Sequence, residues 1–258
     1  MDDDLGLALE CARRAAVIVR EGFRSATETH FKGEVDPVTR FDRAAETAIR
    51  ELLEVEVPAD QVLGEEEGGT GWDRGRVWIV DPLDGTVNFI HGIPQVSVSV
   101  ALWEGGRPVV GVVRDVIGGE VFSAQSGRGA RLDGRRIAVS DVSDVGAALV
   151  ATGFPYDRRE RAGELAEVLG RVLAAVQGIR RFGSAALDLA WVAAGRFDAY
   201  WEYRLAPWDT AAGQLLVEEA GGRVSDLAGQ RYLPDAPALL ATNGDLHDRL
   251  RSVIGLGQ

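Results

Sequence analysis

The sequence holds one cysteine, Cys11, and three scattered histidines, His30, His91 and His247, in 258 residues. An internal disulfide is therefore excluded, and there is no thiolate or imidazole cluster to hold zinc. Such sparse cysteine usage predicts a reducing, cytoplasmic setting. Lysine is as scarce: Lys32 stands alone among 28 basic residues, and 40 acidic residues bring the formal net charge to -12. Phosphate backbones and anionic headgroups are bound by clustered Lys and Arg, so the expectation is no nucleic-acid partner and no membrane partner. An anionic substrate then needs something local to reverse the field. No apolar run approaches the ~18 residues of a membrane span. Asp2, Asp3 and Asp4 stand where a secretory leader would be basic.

What is present is 46% hydrophobic residues, enough for one large domain or two intimately packed halves. Leu5, Leu9, Ala12, Ala16, Val19 and Phe23 recur at helical spacing and predict an amphipathic helix ending near Gly22; Phe41, Ala45, Ala48, Leu52 and Val55 predict a second. Between them, HFKGEVDPVTRFD reads as a short strand and loop. From Val96 the period becomes two. Turns at Gly105-Gly106, Gly118-Gly119 and Asp133-Gly134 join this strand to PVVGVVRDV, EVFSA and RIAVS in an antiparallel meander.

From about residue 146 the elements alternate. ALVATGF, IRRF, RFDAYWE, GRVSD and PALLAT are predicted strands, with helices over Arg159 to Val176, over SAALDLAWVAAG, over Asp209 to Ala220 and at the end. The predicted class is α/β: an α+β half over residues 1–145 and an alternating α/β half over 146–258, packed as one unit.

The stretch WIVDPLDGTVNF, residues 78–89, ends an apolar run with two carboxylates, Asp81 and Asp84. Asp-Gly is a hairpin signal by itself, yet TVNFIHGIP does not alternate like a return strand, and Pro82 cannot donate to a central ladder. The other reading puts Asp81 at the end of a buried strand and Asp84 in the turn to a short helix. Both carboxylates then share a crevice, where like charges need a cation between them. Oxygen donors without nitrogen or sulfur favour magnesium, which keeps waters that a substrate phosphate can displace. The amides of Gly85 and Thr86 suit that phosphate. Glu65, Glu66 and Glu67 lie in a glycine-flanked loop that is readable as a further ligand source or as a solvated loop. Asp209 and Asp42, each at a helix start, are readable as ligands or as caps alone.

GEE at 64–66, WIVDPLDGTVNF at 78–89 and PWDTAAGQLLVEEAGG at 207–222 resemble the signature segments of the inositol monophosphatase family, and VTRFD, ATGFP and FDAYWE fall at the expected intervals. The resemblance covers nearly the full chain. It implies a layered αβαβα sandwich and a magnesium-dependent, lithium-sensitive phosphomonoesterase that works as a homodimer on a small-molecule phosphate ester. It further implies two to three magnesium ions, with Glu66, Asp81 and the Leu83 carbonyl at the first and Asp81, Asp84 and Asp209 at the second. Gly85 and Thr86 match the phosphate cradle. Thr86, Asp42 and Glu66 match the group that orients and activates water, and Lys32 a basic residue near the metals. Val87 stands where threonine is frequent.

By the same resemblance the substrate is a polyol phosphate, inositol 1-phosphate first, with Glu202 bonding a hydroxyl and Ser184 and Ala185 lining the pocket. Glu202 is also readable as a strand-end surface carboxylate, and it would suit the amine of histidinol phosphate. Arg158, Arg159 and Arg161 suit a second phosphate, as in members that hydrolyse fructose 1,6-bisphosphate, or a solvated helix start. A regulatory binding protein that retains the fold is the reading of another class; the many converging carboxylates argue against it.

Overall fold

The computed structural model describes residues 2–25, 29–31, 37–69 and 71–255. The chain opens with α1 (Asp2–Gly22), a β1 (Thr29–Phe31) and β2 (Pro37–Thr39) hairpin, and α2 (Arg40–Glu56). Thr39 starts α2 by a reciprocal cap: its hydroxyl accepts from Phe41 N at 3.1 Å, while the Asp42 carboxylate accepts Thr39 N at 2.8 Å. The inward stripe of α1 is mostly small, with Ala8, Cys11, Ala12 and Ala15 buried, so α2 and the first sheet approach it closely.

That sheet runs, among the described residues, in the order β3 (Gln61–Gly64), β4 (Arg76–Asp84), β5 (Ser97–Glu104), β6 (Arg107–Asp115), β7 (Val121–Gln125), β8 (Gly129–Leu132) and β9 (Arg135–Arg136). A short α3 (Thr86–Ile90) intervenes between β4 and β5. Only the β3–β4 pair is parallel. The alternation in RIAVS predicts a strand, but the ladder stops at Arg136. Val139 N donates to Ala220 O instead, and the Ser140 hydroxyl to Asp198, because this segment leaves the first sheet for the other half of the molecule.

A second sheet follows in the order β11 (Gly178–Arg180), β10 (Leu149–Thr152), β12 (Ala199–Tyr203), β14 (Ala238–Thr242) and β13 (Arg223–Ser225). Its helices are α4 (Ala162–Ala175), α5 (Ala185–Ala193), α6 (Pro207–Glu219) and α7 (His247–Gly255). Helices α5 and α6 pack against both sheets, whereas α4 and α7 pair with one another and α7 lies on β14. The layers are therefore α1/α2, first sheet, α5/α6, second sheet and α4/α7, the αβαβα sandwich. The central helices bury residues on nearly every side, Ala186, Leu187, Leu189, Ala190 and Val192 in α5 and Ala211, Ala212, Leu215, Leu216 and Val217 in α6, as helices enclosed between sheets must. No helix of the described residues is long and apolar enough to cross a membrane.

Candidate active site

Strand β4 carries the first two carboxylates, and its register explains their direction. Asp81 pairs with Ser99 and Asp84 with Ser97, so three steps on β4 oppose two on β5. Pro82, which has no N–H to donate, lies in that bulge. Leu83 N turns inward to donate to Asp81 Oδ1 at 3.0 Å. Gly85 follows with φ +92°, and a Cβ there would meet Gln95 O at 2.7 Å, so only glycine makes this turn into α3.

Alongside, Gly64 at the end of β3 pairs with Val80 in parallel. One step further on each strand brings Glu65 beside Asp81, and the two side chains are hydrogen-bonded. Asp209 comes from the first turn of α6, where Pro207 occupies the helix start and the Asp209 carboxylate accepts Ala206 N at 2.7 Å. Glu65, Asp81, Asp84 and Asp209 line one cavity of about 400 Å³, together with Leu83, Gly85 and Thr86.

Burial pushes the Asp81 carboxyl well above the usual range, and Glu65, Asp84 and Asp209 push it further. Asp209 is raised in the same way, by burial first and then by Glu65 and Asp84. Asp84 is raised by burial, against which Ser184, Ala186 N, Ser97 and Ala185 N all act. Like charges thus converge on one spot with only oxygen donors, which is the chemistry of a hard divalent cation site. Among the described residues no three carboxylates already close into a cage. The donors fit a cation that completes its shell with water or substrate oxygen.

Thr86 Oγ1 stands 3.1 Å from Asp42 Oδ1 and 3.1 Å from Leu83 O, able to donate to either. Asp42 is 1% exposed and accepts the Thr39 hydroxyl at 2.5 Å through its other oxygen. Burial raises its pKa against these hydrogen bonds. It reaches the cavity only through Thr86.

A second polar group lines the same cavity. Glu202 accepts the Tyr200 hydroxyl through Oε2 and packs so tightly on Gly153 that a Cβ there would lie 1.9 Å from that oxygen. Its carboxyl is raised to about 7, by burial first, with Tyr200 and Arg181 opposing and Asp84 adding to the rise. Asp188 of α5, 1% exposed, also lines the cavity, and among the described residues its Oδ1 has no hydrogen-bond partner. Burial, then Asp84 and Glu202, raise Asp188 well above the carboxylate range. Arg158, Arg181 and Arg204 stand around the same cavity.

The structure therefore brings Asp81, Leu83, Asp84, Gly85, Thr86, Ser184, Ala185, Glu202 and Asp209 to one place. Glu66, which the sequence reading puts among the metal ligands, is not among the lining residues; Glu65 is. The parallel β3–β4 register carries the strand direction as far as Glu65, and the chain then turns back, with Gly64 and Gly68 exchanging backbone hydrogen bonds. Lys32 lies outside the described residues. Arg158 lines the cavity while Arg161 pairs with Glu164 at 2.6 Å, so the arginine run is not one anion site. Sequence reasoning gave no role to Asp188, Arg181 or Tyr200, and took Glu65 only as one of three loop glutamates that could supply a ligand. Asp188 lies inside the SAALDLAWVAAG segment and Arg181 in IRRF just before it, so their signal was a charge within an apolar helix and a charge beside its start.

A model of the inositol monophosphatase family matches residues 1–255. The chain is 42% identical over 253 residues to the Nus factor SuhB of Pseudomonas aeruginosa, covering 94% of this chain and 92% of that one. It is 41% identical over 248 residues to the inositol-1-monophosphatase of Caulobacter vibrioides, covering 94% and 97%. The crystal structure of the extragenic suppressor protein suhB from Bartonella henselae superposes with a TM-score of 0.94 at 38% identity, over 99% of this chain and 100% of that one.

Proposed function

The chain belongs to the inositol monophosphatase family and is a phosphoric monoester hydrolase, and we propose that it hydrolyses a small polyol monophosphate, inositol 1-phosphate first, using magnesium. The observation that carries this reading is the presence of two unlike groups in one cavity: Glu65, Asp81, Asp84 and Asp209 as one set, and Glu202 as the other. The first set suits a cation and the phosphate it draws. The second suits an alcohol.

Hydrolysis of a phosphate monoester needs acceleration of up to ~10²¹-fold, far beyond the ~10² to 10⁴ that a general base supplies. Magnesium, when bound, supplies Lewis-acid polarisation of the phosphoryl group and an acidified water. Glu65, Asp81, Asp84, Asp209 and the Leu83 carbonyl would hold it, in two to three ions. Thr86 accepts a hydrogen bond from the attacking water while its own proton points to Asp42 Oδ1. Asp42, its pKa raised by burial, is suited to take the proton released. The amides of Gly85 and Thr86 hold the phosphate at the start of α3. Glu202, one oxygen engaged by Tyr200, turns the other to a substrate hydroxyl.

The family likeness adds inhibition by lithium, a homodimer and a cytoplasmic setting to this proposal. A rate panel over inositol 1-phosphate, histidinol phosphate, fructose 1,6-bisphosphate and p-nitrophenyl phosphate tests it. A second reading has one observation in its favour: the relative from Pseudomonas aeruginosa is a Nus factor by name. A regulatory binding role alongside catalysis follows if a catalytically dead chain retains its effect in the cell.

A further inference from the structure

Glu46 is a fully buried carboxylate on α2, away from the cavity. Its Oε2 accepts Glu66 N at 2.7 Å, and its Oε1 accepts Glu67 N at 3.1 Å and Arg50 Nε at 2.8 Å. Arg50, one helical turn on, donates from Nη2 to Gly68 O at 2.6 Å. One ion pair on one helix face thus holds the tip and the return limb of the turn from Gly64 to Gly68. The fit leaves no slack, since a Cβ on Gly64 would lie 2.3 Å from Glu46 Oε1. A buried charge is expensive to desolvate unless its hydrogen-bonding capacity is filled. Here it is filled by backbone amides of the loop that carries Glu65. The helix that supplies Glu46 also supplies Asp42, so the two groups stand on one rigid element.

We propose that Glu46, braced by Arg50, is a positioning residue for the metal site: it fixes the 64–68 turn so that Glu65 is delivered beside Asp81. This rests on the metal reading above. Replacing Glu46 changes no cavity side chain chemically, but lets the turn relax and moves Glu65 away from Asp81. Outer carboxylates that orient ligands typically contribute 10- to 100-fold to metal affinity.

The test uses the full chain, metal-free, as Glu46→Gln. Glutamine keeps the volume but offers one acceptor oxygen where two amides need one each. Two readouts are taken: hydrogen exchange at the amides of Glu66 and Glu67, and calorimetric titration with magnesium chloride. The expected result is exchange at those two amides faster by about 10-fold or more, magnesium affinity lower by about 10- to 100-fold, and activity that climbs back as magnesium is raised. A folded variant with wild-type exchange, or with wild-type magnesium affinity, overturns the proposal. A wild-type chain that binds no magnesium overturns the metal reading and this proposal with it, while unchanged affinity in the variant alone overturns only the role of Glu46. Should Glu46→Gln not fold, Arg50→Met carries the same readouts, since it removes the brace and the bond to Gly68 O from a side chain that is partly exposed.

Discussion

Ser184 Oγ donates to Asp84 Oδ2 across 2.5 Å, tying the end of β4 in the first sheet to the start of α5 in the layer between the sheets. Ala186 N donates to the same oxygen at 2.9 Å and Ser97 Oγ at 3.1 Å. The carboxylate that the metal reading needs is therefore also the cap of α5. The proposed metal site and the docking of the central helices share a residue.

Ser184→Ala removes a hydrogen bond to a buried, charge-capable acceptor, a loss of about 1.5 to 3 kcal/mol. Urea denaturation of the metal-free protein checks this. A midpoint equal to that of the wild type would show that the contact is not a stabilising one.

Asp84→Asn keeps the shape of the side chain but puts an amide among donors. Turnover is expected to fall by about 100-fold or more through loss of the ligand, and stability by about 1 to 3 kcal/mol through the misplaced amide. Circular dichroism confirms that the fold persists. Near wild-type rates at modest magnesium would show that Asp84 is no ligand.

Glu65 and Glu66 make the sharpest comparison. Glu65→Gln is expected to lower kcat/KM by about 100-fold or more, and Glu66→Gln to change it less than about 3-fold. The reverse order would return the role to Glu66.

The family resemblance puts the ligand at Glu66, whereas the strand register sets Glu65 beside Asp81. Three consecutive glutamates between glycines look alike as a string, and only the parallel pairing of Gly64 with Val80 decides which of them meets Asp81. That pairing joins strands separated by a loop and leaves no local trace. The Asp-Pro-Leu-Asp-Gly-Thr run, by contrast, was legible because every residue in it is locally constrained: a proline that needs a bulge, a glycine at positive φ, and carboxylates ending an apolar run. The two unlike halves were legible from the change of period at Val96 and the alternation after residue 146, whereas their layering came only with the family resemblance. The end of β9 was not, because RIAVS alternates like a strand while Val139 N goes to Ala220 O, a partner far along the chain. Glu46 left a fainter signal, a charged residue in the buried stripe of α2 between Ala45 and Ile49.

Glu202 should leave a signature in stability against pH. Its folded pKa is raised to about 7 from 4.5, so across that window the folded chain keeps a proton that the unfolded chain has released. Stability contributed by this group is then greatest at low pH and falls as pH rises through that window. Glu202→Gln, with no charge to bury, should match the wild type near pH 4.5 and exceed it above pH 7. Thermal melts of both proteins from pH 4.5 to 8.5 supply the comparison, and a difference that does not grow with pH would contradict the buried, raised carboxyl.

The most direct test of the whole account is kcat/KM for inositol 1-phosphate, with magnesium and with the metal chelated, in the wild type and in Glu202→Ala. The account predicts turnover only with magnesium, and a loss of about 10- to 100-fold in Glu202→Ala that p-nitrophenyl phosphate does not share, because the buried pocket is left without its acceptor for the ring hydroxyl. Turnover of histidinol phosphate far faster than inositol 1-phosphate by the wild type, or an equal loss for both esters in the variant, would contradict it.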